Sequence, residues 1–314
     1  MRRKEDRAAC GAEAKRKDGR ESRCVGVKRE DEGKTCRKEV KREDEGETWC
    51  MSERQQGGRV IYYMDELNEE FSSVKIKPRV IDGSYRYFHG KVWDFCSLAV
   101  QNLFSMPVKI FYQKIKFRLK YVGREKLKEC NNRGYFIYGN HTQPFADTFI
   151  PSVANYPHRN FFLVNPENVS MPGLRVLTEL LGAIPIPCDY VGMKHFRKAV
   201  EEKIRRGFSI TIYPEAHIWP YYTGIRPFSA VSFRYPAELG CPVYALTNTY
   251  HRRRGRGEKA AIRTFIDGPF YPDESLLPRE RRRELRDRVY RCMTERSRES
   301  DYEYIRYRRA GQER

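Results

Sequence analysis

The sequence predicts an α/β fold with a mostly parallel sheet flanked by helices. From Phe117 onward, short runs of β-branched and aromatic residues alternate with longer amphipathic segments, as in repeated strand–helix units. Gly and Pro residues separate many of these segments and mark turns. A chain of 314 residues is also long enough to bury the core that such a sheet needs.

The predicted elements follow one another along the chain. The candidate strands are 117–122, 134–138, 160–164, 182–186, 208–213, 242–249 and 261–266. The candidate helices are roughly 146–155, 172–181, 191–206 and 228–239. A last helix is expected to begin near Pro278, because proline suits the first turn of a helix.

Residues 1–60 are predicted to be a disordered charged extension, and 61–314 a single domain. The extension has 18 basic and 14 acidic residues and almost no apolar residue before Val60, so little burial could offset the entropy of ordering it. It is either a charged interaction tail or a flexible extension that need not belong to the native product, with Met51 and Met64 as alternative first residues. The mixed signs of its charges favour the second interpretation.

The stretch 91–119 is apolar and aromatic, and Pro107 should kink it or split it into two helices. We expect the two parts to form a helical hairpin. Its uncharged run, Phe95 to Val108, has 14 residues, fewer than the ~20 that span a membrane. The hairpin therefore suits either a membrane surface or packing on the domain, and the sequence leaves both open. The lysines expected to face lipid headgroups are Lys109, Lys114, Lys116 and Lys120.

The net charge of +19 indicates an acidic partner, such as an anionic lipid surface, a phosphorylated substrate or nucleic acid. Nine cysteines without a CxxC pair or metal-ligand spacing indicate free thiols in a reducing compartment. The first residues contain no apolar signal region. The expected compartment is the cytoplasm. The chain has no Walker or GxGxxG motif and no Ser nucleophile elbow, which disfavours nucleotide hydrolysis, dinucleotide redox chemistry and serine hydrolysis.

The strand 134–138 is followed by residues that suit catalysis: Asn140, His141 and, a few positions later, Asp147. An imidazole can take a proton near neutral pH, and a carboxylate can hold its second ring N–H and fix the tautomer. A His–Asp pair at a turn can equally be an ordinary surface hydrogen bond, so this pair alone does not distinguish catalysis from structure.

A second predicted strand, 208–213, runs into Pro214 and Glu215, with His217 two residues later. Because ligands commonly bind at the carboxyl ends of strands in open α/β sheets, we expect Glu215 to lie near His141. His217 could join this site, although a structural hydrogen bond would explain it equally well.

These motifs, in this order, resemble the glycerolipid acyltransferase family, which includes the 1-acylglycerol-3-phosphate acyltransferases. That family has Asn-His followed after four residues by Asp, then Phe-Pro-Glu-Gly-Thr-Arg, then a Val-Pro-Ile/Val strand. The matching positions here are 140–147, 213–215 and 240–243, and the resemblance covers about 85–305.

The chain departs from the family pattern at two places. Five residues rather than four separate His141 from Asp147. Ala216, His217 and Ile218 stand where the family has Gly, Thr and Arg, so that its phosphate-binding arginine has no direct counterpart. Arg226 is the expected substitute.

The resemblance implies a glycerol-3-phosphate acyltransferase-like fold and an acyltransferase of phospholipid biosynthesis. Such an enzyme moves a fatty acyl group from acyl-CoA or acyl carrier protein to the hydroxyl of a lysophospholipid such as 1-acylglycerol-3-phosphate, without a metal or bound redox cofactor. His141 would be the general base and Asp147 its orienting partner. The implied substrate-binding residues are Asn140, Glu215 (to position the acceptor), Arg226 (to face its phosphate) and His217.

The expected location is peripheral, on the anionic inner face of the membrane. Acidic residues interrupt the arginine-rich C-terminal helix, which disfavours nucleic acid as the partner. The alternative is a non-catalytic membrane- or nucleic-acid-binding protein on the same scaffold. A hydrogen bond between His141 and Asp147 beside an acyl-sized tunnel would favour the enzyme.

Overall fold

The structure of the chain, a computed structural model, describes residues 52–55, 58–71, 78–130, 133–171, 173–253 and 259–311. Most of the predicted extension lies outside these ranges and stays a prediction. None of the helices in the described ranges is both long and apolar enough to cross a membrane.

The described elements alternate between strand and helix over most of the chain. The strands are β1 (Ser52–Gln55), β2 (Gly58–Tyr63), β3 (Lys120–Val122), β4 (Tyr135–Gly139), β5 (Asn160–Val164), β6 (Ala183–Pro185), β7 (Ser209–Ile212), β8 (Val243–Arg252), β9 (Ala260–Phe270) and β10 (Ile305–Arg309). The helices are α1 (Lys91–Ala99), α2 (Ser105–Tyr112), α3 (Ala146–Asn155), α4 (Arg175–Leu180), α5 (Tyr190–Arg205), α6 (Arg234–Leu239) and α7 (Pro278–Ser297). Each strand and helix predicted from 117 onward has a counterpart here, and most ends differ by a few residues. The largest difference is in the helix predicted at 228–239, which begins only at Arg234.

The predicted, mostly parallel sheet is confirmed. Its seven strands have the order β3-β9-β8-β4-β7-β5-β6, and only the β8–β9 pair is antiparallel. The central strand β4 is buried along its whole length, as is typical of a parallel strand with helices on both faces. Phe136 and Tyr138 belong to the core that contains α5 and α7, whereas Tyr135 and Ile137 belong to the core that contains α3.

A second sheet was not predicted. It has the order β1-β2-β10, with β1 and β2 antiparallel and β10 parallel to β2. Residues 52–55 and 58–60, which the sequence assigned to the charged extension, lie in these strands. Tyr63 and Tyr307 of this sheet contact Trp219, at ring-centroid distances of 4.8 and 4.9 Å, so the sheet packs against the loop that follows β7.

The predicted hairpin at 91–119 is wrong, because the chain stays helical from Lys91 to Phe117. π-helical turns at Val100–Phe104 and Gln113–Phe117 follow α1 and α2, and the junction residues between these elements keep right-handed helical angles. Pro107 lies in the first turn of α2, directly after a π-helical turn. The wider turn accommodates a residue that cannot donate a backbone hydrogen bond.

One side of this helical stretch packs on the domain, and the other side carries a row of exposed apolar side chains. We call this row the apolar stripe. Its members are 42–79% exposed, and they are Val92, Phe95, Leu98, Leu103, Phe104, Val108, Phe111 and Ile115.

Lys109 does not lie beside the apolar stripe as expected. It is buried, with 4% exposure, and its ammonium group is 6.0 Å from the centroid of the Phe149 ring. Burial lowers the pKa of Lys109 to about 8, because a buried ammonium loses its hydration. The charged form of Lys109 therefore destabilises the folded state.

Replacing Lys109 with Met should raise the free energy of unfolding at neutral pH by up to about 3 kcal/mol, since each unit of pKa displacement is worth ~1.4 kcal/mol. Between about pH 8 and 10.5 the unfolded chain holds a proton that folded Lys109 has released, so the native protein gains stability relative to the variant. Urea denaturation at several pH values tests this, with Lys114→Met as the exposed control. A variant advantage that stayed constant as pH rose would contradict the burial argument.

Candidate active site

The carboxyl ends of β4 and β7 bring the predicted residues together at one edge of the main sheet. β4 ends at Gly139 and leads into His141, and β7 ends at Ile212, three residues before Glu215. The two strands are parallel neighbours. The backbone N–H of His141 donates to Glu215 Oε2 at 3.1 Å, so the two strand ends are in direct contact.

His141 and Asp147 form a hydrogen-bonded pair, with Nδ1 of the imidazole 2.7 Å from Oδ2 of the carboxylate. Asp147 lies in the first turn of α3 and is 1% exposed, whereas the His141 side chain is 18% exposed. Burial raises the pKa of Asp147, and the hydrogen bond with His141 acts in the opposite direction. With Nδ1 turned to Asp147, Nε2 has no hydrogen-bond partner among the described residues and is the ring nitrogen that can exchange a proton.

The extra residue between His141 and Asp147 does not separate the pair. Gln143 closes the turn: its N–H donates to Asp147 Oδ2 at 2.9 Å, and its carbonyl accepts from the N–H of Asp147 at 3.1 Å. The turn therefore returns the chain to His141 as α3 begins.

Tyr213 holds the imidazole from its face. The two rings stack with centroids 4.6 Å apart and planes 17° apart, and the Tyr213 hydroxyl donates to the carbonyl of Asp147. This contact requires glycine at position 139, because a Cβ there would lie 2.7 Å from a Tyr213 ring carbon. Tyr213 thus orients both members of the pair. Nothing in the sequence signalled this role, because an aromatic residue at the end of a predicted strand is an ordinary core residue.

Tyr250 is a second residue that the sequence analysis missed. Its hydroxyl donates to Thr142 Oγ1 at 2.7 Å and accepts from Gln143 Nε2 at 3.2 Å, and all three side chains are buried. Tyr250 therefore supports the turn from behind. Its position within a long apolar strand gave no signal of this contact.

Asn140 was expected to bind substrate, but its side chain is buried in the sheet edge. Its Nδ2 donates to the carbonyl of Asn248 at 3.0 Å, and its Oδ1 accepts from the N–H of Asn248 at 2.8 Å. The amide thus extends the pairing of β4 with β8, which fixes where the chain leaves the sheet. The expectation is corrected to a structural role.

Glu215 was expected to position the acceptor, but it is 4% exposed and faces the backbone. Oε2 accepts from the N–H of His141, and Oε1 accepts from the N–H of Arg226 at 3.1 Å. Burial raises the pKa of Glu215, while Arg226 opposes the shift. The carboxylate therefore joins the His141 turn to the loop after β7.

Arg226 was expected to face a phosphate, and this is wrong. It is 1% exposed, and its guanidinium donates to the carbonyls of Glu66, Glu215 and His217. It also lies 3.5 Å from the Glu215 carboxylate and 5.0 Å from the centroid of the Trp219 ring. All of these contacts are with the loop that follows β7 or with Glu66, which lies after β2, so the guanidinium is held inside the protein.

His217 does not join the His141–Asp147 pair. Its Nδ1 is 3.5 Å from Glu70 Oε2, and its side chain is 34% exposed. Ala216, which stands where the resembled family has Gly, has a φ of 65°, in the left-handed region that glycine favours. Position 216 therefore has a backbone conformation that glycine adopts without strain.

Glu215→Gln should lower the free energy of unfolding by about 3 kcal/mol, because removing one partner of a buried ion pair leaves the other charge uncompensated. Arg226→Met should cost at least as much, and the double variant less than the sum by about 1 kcal/mol or more. Urea denaturation measures all three. The exposed Arg197–Glu238 pair, 2.8 Å apart, is the control, and Glu238→Gln should cost less than about 1 kcal/mol. Fully additive losses would contradict the coupling.

The comparison with protein families agrees with the resemblance. The Acyltransferase family model matches residues 118–248, a range that holds β4, β7, the His141–Asp147 pair and Glu215. A solved structure of the 1-acyl-sn-glycerophosphate (LPA) acyltransferase, PlsC, from Thermotoga maritima matches with a TM-score of 0.45 and 16% identity, over 65% of this chain and 81% of that chain. None of the curated proteins compared with the chain matches it.

Proposed function

We propose that the chain transfers a fatty acyl group from acyl-CoA or acyl carrier protein to the hydroxyl of a lysophospholipid. The match of residues 118–248 to the Acyltransferase family model supports this proposal. An acceptor such as 1-acylglycerol-3-phosphate would place the reaction in phospholipid biosynthesis. The observation that carries the proposal is the 2.7 Å hydrogen bond between His141 and buried Asp147 at the carboxyl edge of the sheet.

In the proposed reaction, Nε2 of His141 takes the proton from the acceptor hydroxyl as its oxygen attacks the thioester carbonyl carbon. Asp147 holds the Nδ1–H and stabilises the imidazolium that forms. The tetrahedral intermediate then collapses, the C–S bond breaks, and the imidazolium returns the proton to the thiolate. One histidine thus serves as base and then as acid.

The tetrahedral intermediate carries an oxyanion that needs hydrogen-bond donors. The backbone N–H groups where α3 begins, around Phe145 and Ala146, are the donors that we propose, because the first N–H groups of a helix have no partner within it. Because Arg226 is buried, no phosphate-facing arginine supports the choice of a lysophospholipid as the acceptor. That choice depends on the similarity to the family alone.

We also propose that the protein binds peripherally to the anionic cytoplasmic face of a membrane, where its lipid substrates are. The apolar stripe supports this, because eight exposed apolar residues on one side of one helical stretch suit insertion at a lipid interface. Lys114, Lys116 and Lys120 are exposed at the end of the stripe and can meet anionic headgroups.

His141→Ala should lower kcat for acyl transfer by about 10²–10⁴-fold, the usual contribution of a general base, while the chain stays folded. Asp147→Asn should also be severe, since an amide cannot stabilise the imidazolium. His251→Ala is the matched control, because His251 forms a similar pair with Asp301, 2.8 Å apart, at the end of neighbouring β8. His141→Ala with more than about a tenth of native activity would exclude the assigned role.

Replacing Phe104 and Phe111 together with Ser should weaken binding to vesicles of phosphatidylcholine and phosphatidylglycerol by about 100-fold or more, since each buried Phe contributes about 1.5–3 kcal/mol and ~1.4 kcal/mol is tenfold in affinity. Co-sedimentation at rising salt gives the electrostatic part, which is screened over ~8–10 Å. The control is Val231→Ser with Leu277→Ser, two exposed apolar residues outside the stripe. Equal losses in both double variants would contradict docking through the stripe.

A further inference from the structure

Two neighbouring cavities, of about 180 and 270 Å³, share Arg159 and Arg206. Arg159 directly precedes β5, whereas His141 follows β4, and both strands run parallel to β7. The cavities therefore lie toward the amino ends of the parallel strands, whereas His141 lies at their carboxyl ends. The five residues of β4, at about 3.3 Å each, separate the two edges of the sheet. Neither of these two cavities is lined by His141 or Asp147. We call the pair the basic cleft.

Arg159 is built into the wall of the basic cleft. It is 6% exposed, and its Nη2 donates to Ser97 Oγ at 2.6 Å. Its guanidinium lies 5.0 Å from the ring centroid of Phe161 and 5.1 Å from that of Phe208. These contacts fix the orientation of its remaining N–H donors.

Lys203 of α5 reaches the same cleft and lies over Phe161, with Nζ 4.6 Å from the ring centroid. Its ammonium group makes no hydrogen bond or ion pair with any residue that the structure describes. Burial lowers the pKa of Lys203 to about 8, and Arg159 and Arg206 act in the same direction, against Asp94. A structural role that explains Arg159, namely holding Ser97 of α1, does not explain Lys203.

The carboxylates that line the cleft are already paired with other cations. Asp94 is 2.9 Å from Arg206, Glu179 is 3.0 Å from Arg175, and Glu202 is paired with Arg205. In the described ranges no carboxylate forms an ion pair with Arg159. Asp94 is the carboxylate whose charge acts on both Arg159 and Lys203, but it is already paired with Arg206. Three cations thus share one carboxylate, which is costly for buried Arg159 and partly buried Lys203, and a bound anion would offset that cost.

We propose that the basic cleft binds a phosphate group, carried by a soluble phosphorylated molecule or by a lipid headgroup, at a site separate from acyl transfer. The planar guanidinium fork of Arg159 and the point charge of Lys203 are the two cationic groups that proteins use for phosphate oxygens. Aromatic residues, including Tyr87 and Trp93, line the first cavity and would contact the rest of the ligand. Leu98 of the apolar stripe lines the second cavity, so that a headgroup at the docked membrane could also reach the cleft.

Calorimetric titration of the full chain with inorganic phosphate, against chloride of equal ionic strength, tests the soluble source. Co-sedimentation with phosphatidylcholine vesicles, with and without phosphatidic acid, tests the lipid source. Lys203→Met keeps the aliphatic contact with Phe161 and removes the charge, and Lys198→Met on the exposed side of α5 is the matched control. Lys203→Met should weaken binding about tenfold or more, as expected for the loss of a charge-assisted hydrogen bond, and Lys198→Met should leave it unchanged.

If Lys203→Met but not Lys198→Met weakens the binding of inorganic phosphate, the ligand is a soluble phosphorylated molecule. If the same difference is seen with phosphatidic acid vesicles, the ligand is a lipid headgroup. If neither arm shows saturable binding, or if both variants weaken it equally, the cleft is not a phosphate site. This outcome is independent of whether the chain transfers acyl groups, because Lys203 lies outside the candidate active site.

Discussion

The candidate active site depends on the buried Glu215 carboxylate, which accepts the backbone N–H groups of both His141 and Arg226. The first of these bonds ties the end of β4 to the residues after β7, and the second ties both to a more distant part of the loop. In addition, the carbonyl of His141 accepts from the N–H of Trp219 at 3.1 Å. The backbone hydrogen bonds of His141 thus fix where its side chain leaves the chain, and the hydrogen bond with Asp147 then fixes the orientation of the ring.

The second sheet gains its significance from the same loop. Tyr63 and Tyr307 pack against Trp219. The Arg226 guanidinium lies 5.0 Å from the centroid of the same ring and donates to three backbone carbonyls. An arginine that the sequence assigned to a substrate therefore neutralises Glu215 and satisfies a buried loop. Glu215 and Arg226 hold the turn that contains His141, and the His141–Asp147 pair is responsible for the proposed chemistry.

Features that depend on residues close in the sequence could be predicted, and features that depend on residues far apart in the sequence could not. The strands of the main sheet and the helices between them were predictable because periodicity is local, and His141 and Asp147 are only one turn apart. The burial of Arg226 was not predictable, since it depends on a small sheet that joins β2 to β10 from the far end of the chain. The Pro107 signal failed because a π-helical turn beside it keeps the helix continuous.

The most direct test of the central claim is incubation of the purified full chain with labelled acyl-CoA, or labelled acyl carrier protein, and a panel of lysophospholipids. The account predicts a labelled diacyl product from at least one acceptor, formed only in the presence of both the acceptor and the protein. If the protein binds anionic vesicles but forms no acylated product with any donor and acceptor pair, it is a non-catalytic membrane-binding protein on an acyltransferase scaffold, and the role assigned to His141 and Asp147 is wrong.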